Sequence, residues 1–157
     1  MRAAIGVLGL LALAGCGGGE PAEPVTRAAP LPAGATPEMM ALVARYADYH
    51  DIPEELLHRV IDRESDYNPA ARNGPYWGLM QILPETAATM GFQGKPADLL
   101  DPETNLRYAG AYLRGAWIVA DGDIDEAIGW YASGYYYEAR NRCLLVETGL
   151  RDEELRC

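Results

Sequence analysis

Histidine and cysteine are scarce in this chain: His50 and His58 are the only histidines, and Cys16, Cys143 and Cys157 the only cysteines. The two histidines fall two turns apart on one expected helix with no HExxH-type companion, so a metal centre built on them is not expected. Basic residues are few too, 13 Lys and Arg against 23 Asp and Glu, giving a formal net charge of -10. That balance argues against nucleic acid as a partner and against electrostatic docking on an anionic surface. A ligand has to be recognised by shape, stacking and hydrogen bonds. Phenylalanine occurs once against ten tyrosines, so the aromatic set is polar-tipped. Alternating apolar and polar positions are almost absent, which argues against a fold built on sheets; a short extended piece around residues 76–82 is the exception. No apolar run approaches the ~20 residues of an ordinary membrane span.

What is present begins with a processing signal. Arg2 supplies a positive start, Ile5 to Leu13 a short apolar run, and small residues follow, so residues 1–15 read as a signal peptide. The junction "LAGC", Leu13 to Cys16, resembles the bacterial lipobox, in which the cysteine becomes the lipidated first residue of the mature protein. Residues 16–35, rich in Gly, Pro and Ala, then read as a flexible tether. Removing the signal takes away one base, Arg2, and no acid, leaving the mature chain more acidic still. Lipid anchoring at Cys16 would place the domain outside the cytoplasm. There Cys143 and Cys157 are expected to pair, stabilising the C-terminal end by ~3 kcal/mol on the chain-entropy argument.

Residues 36–157 carry a helical pattern of a size suited to one domain. Thr36 is placed as an N-cap with Pro37 at the first helical position and a stripe of Met40, Val43 and Ala47. "IPEELLHRVIDRES" starts again at a proline and lines up Leu56, Leu57, Val60 and Ile61. Pro84 opens a helix through Met90. Asp101 and Pro102 open another, with Leu106, Ala109, Tyr112, Leu113 and Trp117 inward, and Asp123 and Glu126 have capping-box spacing. A last long helix is predicted over residues 135–146. Its three consecutive tyrosines, Tyr135 to Tyr137, are each turned about 100° from the next, so at least one must leave the core. The expected fold class is all-α, with one functional loop inserted between the second and third helices.

Glu64 is the irregularity in this pattern. It shares a helix face with Val60 and Ile61, where an apolar residue would come next, and it stands just before a loop rich in Asn, Gly, Pro and aromatic rings. A carboxyl group kept from water holds its proton toward neutral pH, as a general acid must. The alternative is a helix-end glutamate bonded to a backbone amide or to an arginine such as Arg72.

The neighbouring residues supply a resemblance. Glu64-Ser65, Asn68-Pro69, Gly78-Leu79-Met80-Gln81-Ile82, Pro84 and Thr86-Ala87 follow in order the signature of the catalytic domain of soluble lytic transglycosylases, the goose-type-lysozyme-like glycoside hydrolase family 23. "DPETNLRYAGAYL" and "AIGWYASG" resemble later segments of the same family. The resemblance implies a small lysozyme-like helical domain with a substrate groove and a short β-ribbon in the 74–83 loop. It implies peptidoglycan glycan strands as substrate and no cofactor. Glu64 would protonate the bond between N-acetylmuramic acid and N-acetylglucosamine. It would then act as base while the muramic C6 hydroxyl attacks, leaving a 1,6-anhydro sugar.

Ser65, Met80, Gln81 and Tyr131 match family positions at the sugar or beside the acid, with Leu83 along the wall. Departures are Ser133, where the family has asparagine, and the stretch "RNGPYWG", which puts Asn73 near a polar contact and adds Tyr76 and Trp77 as rings for sugar stacking. Core packing is the alternative for Met80, Leu83 and Trp77. Gly17 after the lipidated cysteine implies, by resemblance, the outer membrane, on the periplasmic side of the cell envelope. The competing readings are a hydrolase of lysozyme type and an inactive peptidoglycan-binding lipoprotein of the same fold.

Overall fold

The structure is a computed structural model that describes residues 30–155. The expected signal, the lipidation site Cys16 and Cys157 lie outside the described residues, so neither the anchor nor the Cys143–Cys157 pairing is described. Six helices follow one another: α1 Pro37–His50, α2 Glu54–Ser65, α3 Pro84–Thr89, α4 Pro102–Val119, α5 Ile124–Ser133 and α6 Tyr136–Asn141. A two-stranded ribbon, β1 Arg72–Asn73 and β2 Tyr76–Trp77, lies between α2 and α3, and a 3-10 turn, Pro96–Leu100, precedes α4. This is the all-α, lysozyme-like class that the sequence implies.

Local chemistry explains the helix starts. Thr36 Oγ1 accepts from the Met39 amide at 3.2 Å, Asp101 Oδ2 from Thr104 at 2.8 Å and Asp123 Oδ1 from Glu126 at 2.9 Å, so each cap satisfies a first-turn amide. Pro37 and Pro102 occupy first-turn positions that need no amide hydrogen. Pro53 differs from expectation by one residue: it precedes α2 without a side-chain cap, and the helix begins at Glu54. The third helix closes at Thr89, with Met90 as its cap.

The longest helix, α4, is the axis of the core. Leu106, Ala109, Leu113 and Ala116 are fully buried and form its inward stripe, and the helix packs on α1, α3 and α5. Tyr112 and Trp117 sit at the margin of that stripe, packed against the core but partly exposed. Leu56, Leu57, Val60 and Ile61 bring α2 onto the same core. Where α1 meets α4, the buried His50 ring lies on Gly110, where an added Cβ would collide with it, and its Nε2 donates to the Leu106 carbonyl at 2.9 Å.

Three further expectations change. His50 closes α1 and His58 lies on α2, so the two histidines stand on separate helices and not two turns apart on one. The ribbon is shifted toward the N-terminus: Arg72 pairs with Trp77 and Asn73 with Tyr76, and Trp77 forms a further bridge to Ile82. The last helix is short, ending at Asn141, and Cys143 turns into left-handed backbone at φ 57°. A straight helix would carry Leu145 about 120° round from Ala139. The turn instead buries both residues, together with Tyr135. Of the tyrosine triplet, Tyr135 is buried, Tyr136 half-buried and Tyr137 70% exposed.

Candidate active site

The site is built outward from the end of α2. Val60 and Ile61 are buried, and Glu64, next along their face, is held at the edge of the core with its side chain 23% exposed. Burial raises the Glu64 carboxyl above its ordinary value, with the Arg63 charge acting the other way; Arg63 Nε lies 3.6 Å from Glu64 Oε1. The helix stops one residue on, where Asp66 and Tyr67 both adopt positive φ. Ser65 Oγ donates to the Ile61 carbonyl at 3.3 Å, within the helix end.

The chain then turns through the ribbon. Asn73 and Tyr76 are opposite one another across it, and both line a cleft of about 340 Å³ with Glu64, Arg63, Gln81 and Tyr131. A second cleft of about 250 Å³ shares Tyr76, Gln81 and Tyr131 with the first and extends to Leu83, Thr86, Tyr112 and Ser133. Together they form one groove, and Glu64 is the only acid lining either part among the described residues.

The wall opposite α2 is the loop from Trp77 to Ile82, whose ends exchange two main-chain hydrogen bonds of 3.1 Å. Asn105 of α4, fully buried, fills its interior. Its Oδ1 accepts from the Met80 amide at 2.9 Å, and its Nδ2 donates to the carbonyls of Trp77 and Leu99, each at 2.9 Å. Gly78, at φ 75°, lies against the Asn105 amide and the Leu99 carbonyl with no room for a Cβ. Gln81 takes left-handed backbone at φ 48°, a conformation costing about 1 kcal/mol or more for a residue with a side chain. Its Nε2 donates to the carbonyls of Gly78 (2.8 Å) and Ala71 (3.1 Å), which fixes the amide and leaves Oε1 without a partner among the described residues.

Tyr131 arrives from α5, and its hydroxyl donates to the Met80 carbonyl at 2.9 Å. Burial, and then the Glu64 charge, push its pKa well above the ordinary 10.0, so the phenol stays neutral. Its ring meets Tyr112 edge-on at 5.6 Å, and Tyr112 lies 4.7 Å from the buried Tyr135, so the floor of the groove continues into the core as a row of rings.

Of the residues expected at the site, Glu64, Asn73, Tyr76, Gln81 and Tyr131 converge on the first cleft, and Ser133 lines the second with its hydroxyl donating to the Gly129 carbonyl at 2.9 Å. Ser65, Trp77 and Met80 line neither. The Met80 side chain is fully buried, and its main-chain carbonyl accepts the Tyr131 hydroxyl. The Trp77 ring carries the Arg72 guanidinium over one face, 3.5 Å from the ring centre. Asn105, Arg63 and Tyr112 belong to the arrangement without having been read as site residues. Asn105 carried a readable signal: a polar residue four positions before Ala109 on the inward stripe of α4, the same kind of irregularity that marked Glu64. Among the described residues no group of three or more His, Cys, Asp and Glu side chains is arranged to hold a metal ion, and no helix is long and apolar enough to cross a membrane.

Comparison with known families adds an independent observation to this geometry. Residues 41–142, more than half of the chain, match the Transglycosylase SLT domain. The chain belongs to this family. It is similar to the soluble lytic murein transglycosylase of Escherichia coli (strain K12), 35% identical over 81 residues, which is 46% of this chain and 12% of that protein. It is also similar to the membrane-bound lytic murein transglycosylase C of Serratia proteamaculans (strain 568), 34% identical over 82 residues, or 47% of this chain and 23% of that protein. The chain therefore aligns with less than a quarter of the length of these relatives. No solved structure gives a significant match.

Proposed function

We propose that this chain is a lytic transglycosylase acting on peptidoglycan, cleaving the β-1,4 bond between N-acetylmuramic acid and N-acetylglucosamine with formation of 1,6-anhydro-N-acetylmuramic acid. The observation that carries the reading is the single carboxyl group of the groove: Glu64, raised in pKa, with no second acid among the described lining residues. Hydrolases that invert or retain in the usual manner need a carboxylate pair. One acid suffices when the substrate supplies the nucleophile.

In the proposed reaction, protonated Glu64 donates its proton to the glycosidic oxygen as the bond from that oxygen to the anomeric carbon breaks. The bonding pair leaves with the N-acetylglucosamine hydroxyl. The Glu64 carboxylate then takes the proton of the muramic C6 hydroxyl while that oxygen bonds the anomeric carbon, and the acid is restored with no water consumed. Gln81 Oε1 and the Tyr131 oxygen are assigned to sugar hydroxyl or N-acetyl hydrogens, Asn73 and Tyr76 to one wall, and Ser133 to the adjoining position. Ser65, Trp77 and Met80 are assigned supporting roles, since the first bonds within its helix and the other two build the wall from behind.

Mass spectrometry of digested peptidoglycan tests the chemistry: anhydro-muropeptides, lighter by one water than hydrolysis products, are expected. Reducing-end products alone would establish the lysozyme-type hydrolase instead. The inactive-binder reading predicts that Glu64→Gln leaves the protein's behaviour toward peptidoglycan unchanged.

We also assign the domain to the cell envelope, tethered by lipid at Cys16 on the periplasmic side of the outer membrane, with Cys143 and Cys157 paired. Support comes from the "LAGC" junction followed by glycine and from the acidic surface, for which confinement near a fixed substrate replaces electrostatic attraction. Cys16→Ala should release the protein from the membrane fraction.

A further inference from the structure

Tyr76 stands between the two parts of the groove and lines both, with 42% of its surface exposed. Its side chain makes no hydrogen bond or ring contact with any described residue, so what fixes its position is the ribbon beneath it. Four features make that ribbon stiff. The turn between its strands is two residues long, and Gly74 supplies the positive φ of 60° such a turn requires. The next residue, Pro75, has a locked φ. Trp77, on the opposite face of the strand from Tyr76, is tied to Ile82 by two main-chain bonds and to Asn105 through its carbonyl. Finally, Arg72, paired with Trp77 across the ribbon, lays its guanidinium on the indole and donates from Nη2 to the Gly74 carbonyl at 3.4 Å. Trp77 thus has one ring face already covered, while Tyr76 offers its ring to the groove.

On the reading of the groove as a glycan site, we infer that Tyr76 is a specificity-determining residue. It is an aromatic partition between the two sugar positions, packing its ring on a pyranose face, and Arg72 and Trp77 are positioning residues that act only through it. The pyranose face is apolar and flat, and a ring already fixed in place loses little side-chain freedom on stacking. The "GPYW" stretch is then one device: glycine and proline set the turn, tryptophan anchors it, and tyrosine meets the sugar.

Binding is measured by calorimetry with a tetrasaccharide of alternating N-acetylglucosamine and N-acetylmuramic acid, on a Glu64→Gln background so that the ligand stays intact. Tyr76→Ala should weaken binding about fivefold to tenfold, and Tyr76→Phe about twofold or less, because the ring and not the hydroxyl is used. Arg72→Ala should weaken it about threefold and lose the contribution of the stack to indole fluorescence. The decisive variant is Arg72→Ala with Tyr76→Ala, which should bind no more weakly than Tyr76→Ala alone, since a residue acting only through Tyr76 has nothing left to act on. Unchanged affinity in Tyr76→Ala, a Tyr76→Phe loss equal to that of alanine, or full additivity in the double variant would overturn the assignment. Muropeptide release by the wild-type chain is scored separately, so a failure of the enzymatic reading appears there, and a failure of the Tyr76 assignment in the affinities.

Discussion

The hydroxyl of Tyr131 donates to the main-chain carbonyl of Met80 at 2.9 Å, across 51 residues of sequence. This bond joins α5 to the glutamine loop and aims the phenol's proton away from the groove, leaving the oxygen as an acceptor beside Glu64. Tyr131→Phe should therefore cost only about 1 kcal/mol of stability, the worth of one hydrogen bond. It should lower turnover on peptidoglycan by about tenfold to a hundredfold. Thermal melts and muropeptide release, measured on one preparation, check both; turnover equal to wild type would remove Tyr131 from the chemistry.

Glu64 gives a prediction in which activity and stability move in opposite directions. Its carboxyl is raised above the ordinary 4.5 in the folded protein, so the fold binds this proton more tightly than the unfolded chain does. Its stabilising contribution is complete below 4.5 and lost as pH rises through the raised value. Once ionised, the carboxylate opposes folding. Glu64→Gln should reduce cleavage by about a hundredfold or more. It should also stabilise the domain wherever Glu64 is ionised, a gain that vanishes below pH 4.5. Wild-type cleavage should decline as alkalinity removes the proton Glu64 has to donate.

Asn105 satisfies three backbone groups from a fully buried position. Asn105→Ala leaves the Met80 amide and the Leu99 carbonyl unpaired and takes from the Trp77 carbonyl one of its two donors, the other being the Ile82 amide, and should destabilise the domain by about 3 kcal/mol. Asn105→Asp should be no better, since it turns a second oxygen toward two carbonyls. Urea unfolding at constant m-value checks both variants.

His50 sets a limit in acid. Burial lowers its pKa first of all, the Arg114 charge adds to that, and the bond to the Leu106 carbonyl works the other way. The unfolded chain therefore takes up this proton more readily. The associated stability is present above the ordinary 6.5 and is lost as pH falls below it. His50→Gln should flatten that part of the stability profile, leaving the opposing Glu64 contribution visible at lower pH. Gly110→Ala, which drives a methyl group into the His50 ring, should cost about 2 kcal/mol at any pH.

Much of this architecture was legible because it is written locally. Thr36, Asp101 and Asp123 carry their capping chemistry in one side chain each, and the stripes of α2 and α4 repeat at helical spacing. Glu64 was visible as an acid on an apolar face. What could not be read depends on contacts far apart in sequence. Leu145 ends α6 early because the core it joins is built by other helices, and no local residue announces that turn. Gln81 has positive φ because its loop is tied at Trp77 and Ile82 and filled by Asn105, which follows far along the chain on α4. Trp77 looked as available to a sugar as Tyr76 until strand alternation and the Arg72 stack separated them.

The loop from Trp77 to Ile82 closes on itself at its ends and is plugged by a side chain from the first turn of the central helix. To open, it would have to pull Asn105 out of α4, and with it the packing that holds the helices together. The groove consequently has no melting point of its own. On heating, catalytic loss should coincide with the single cooperative unfolding of the domain, and any cooling that restores the helices should restore the groove with them.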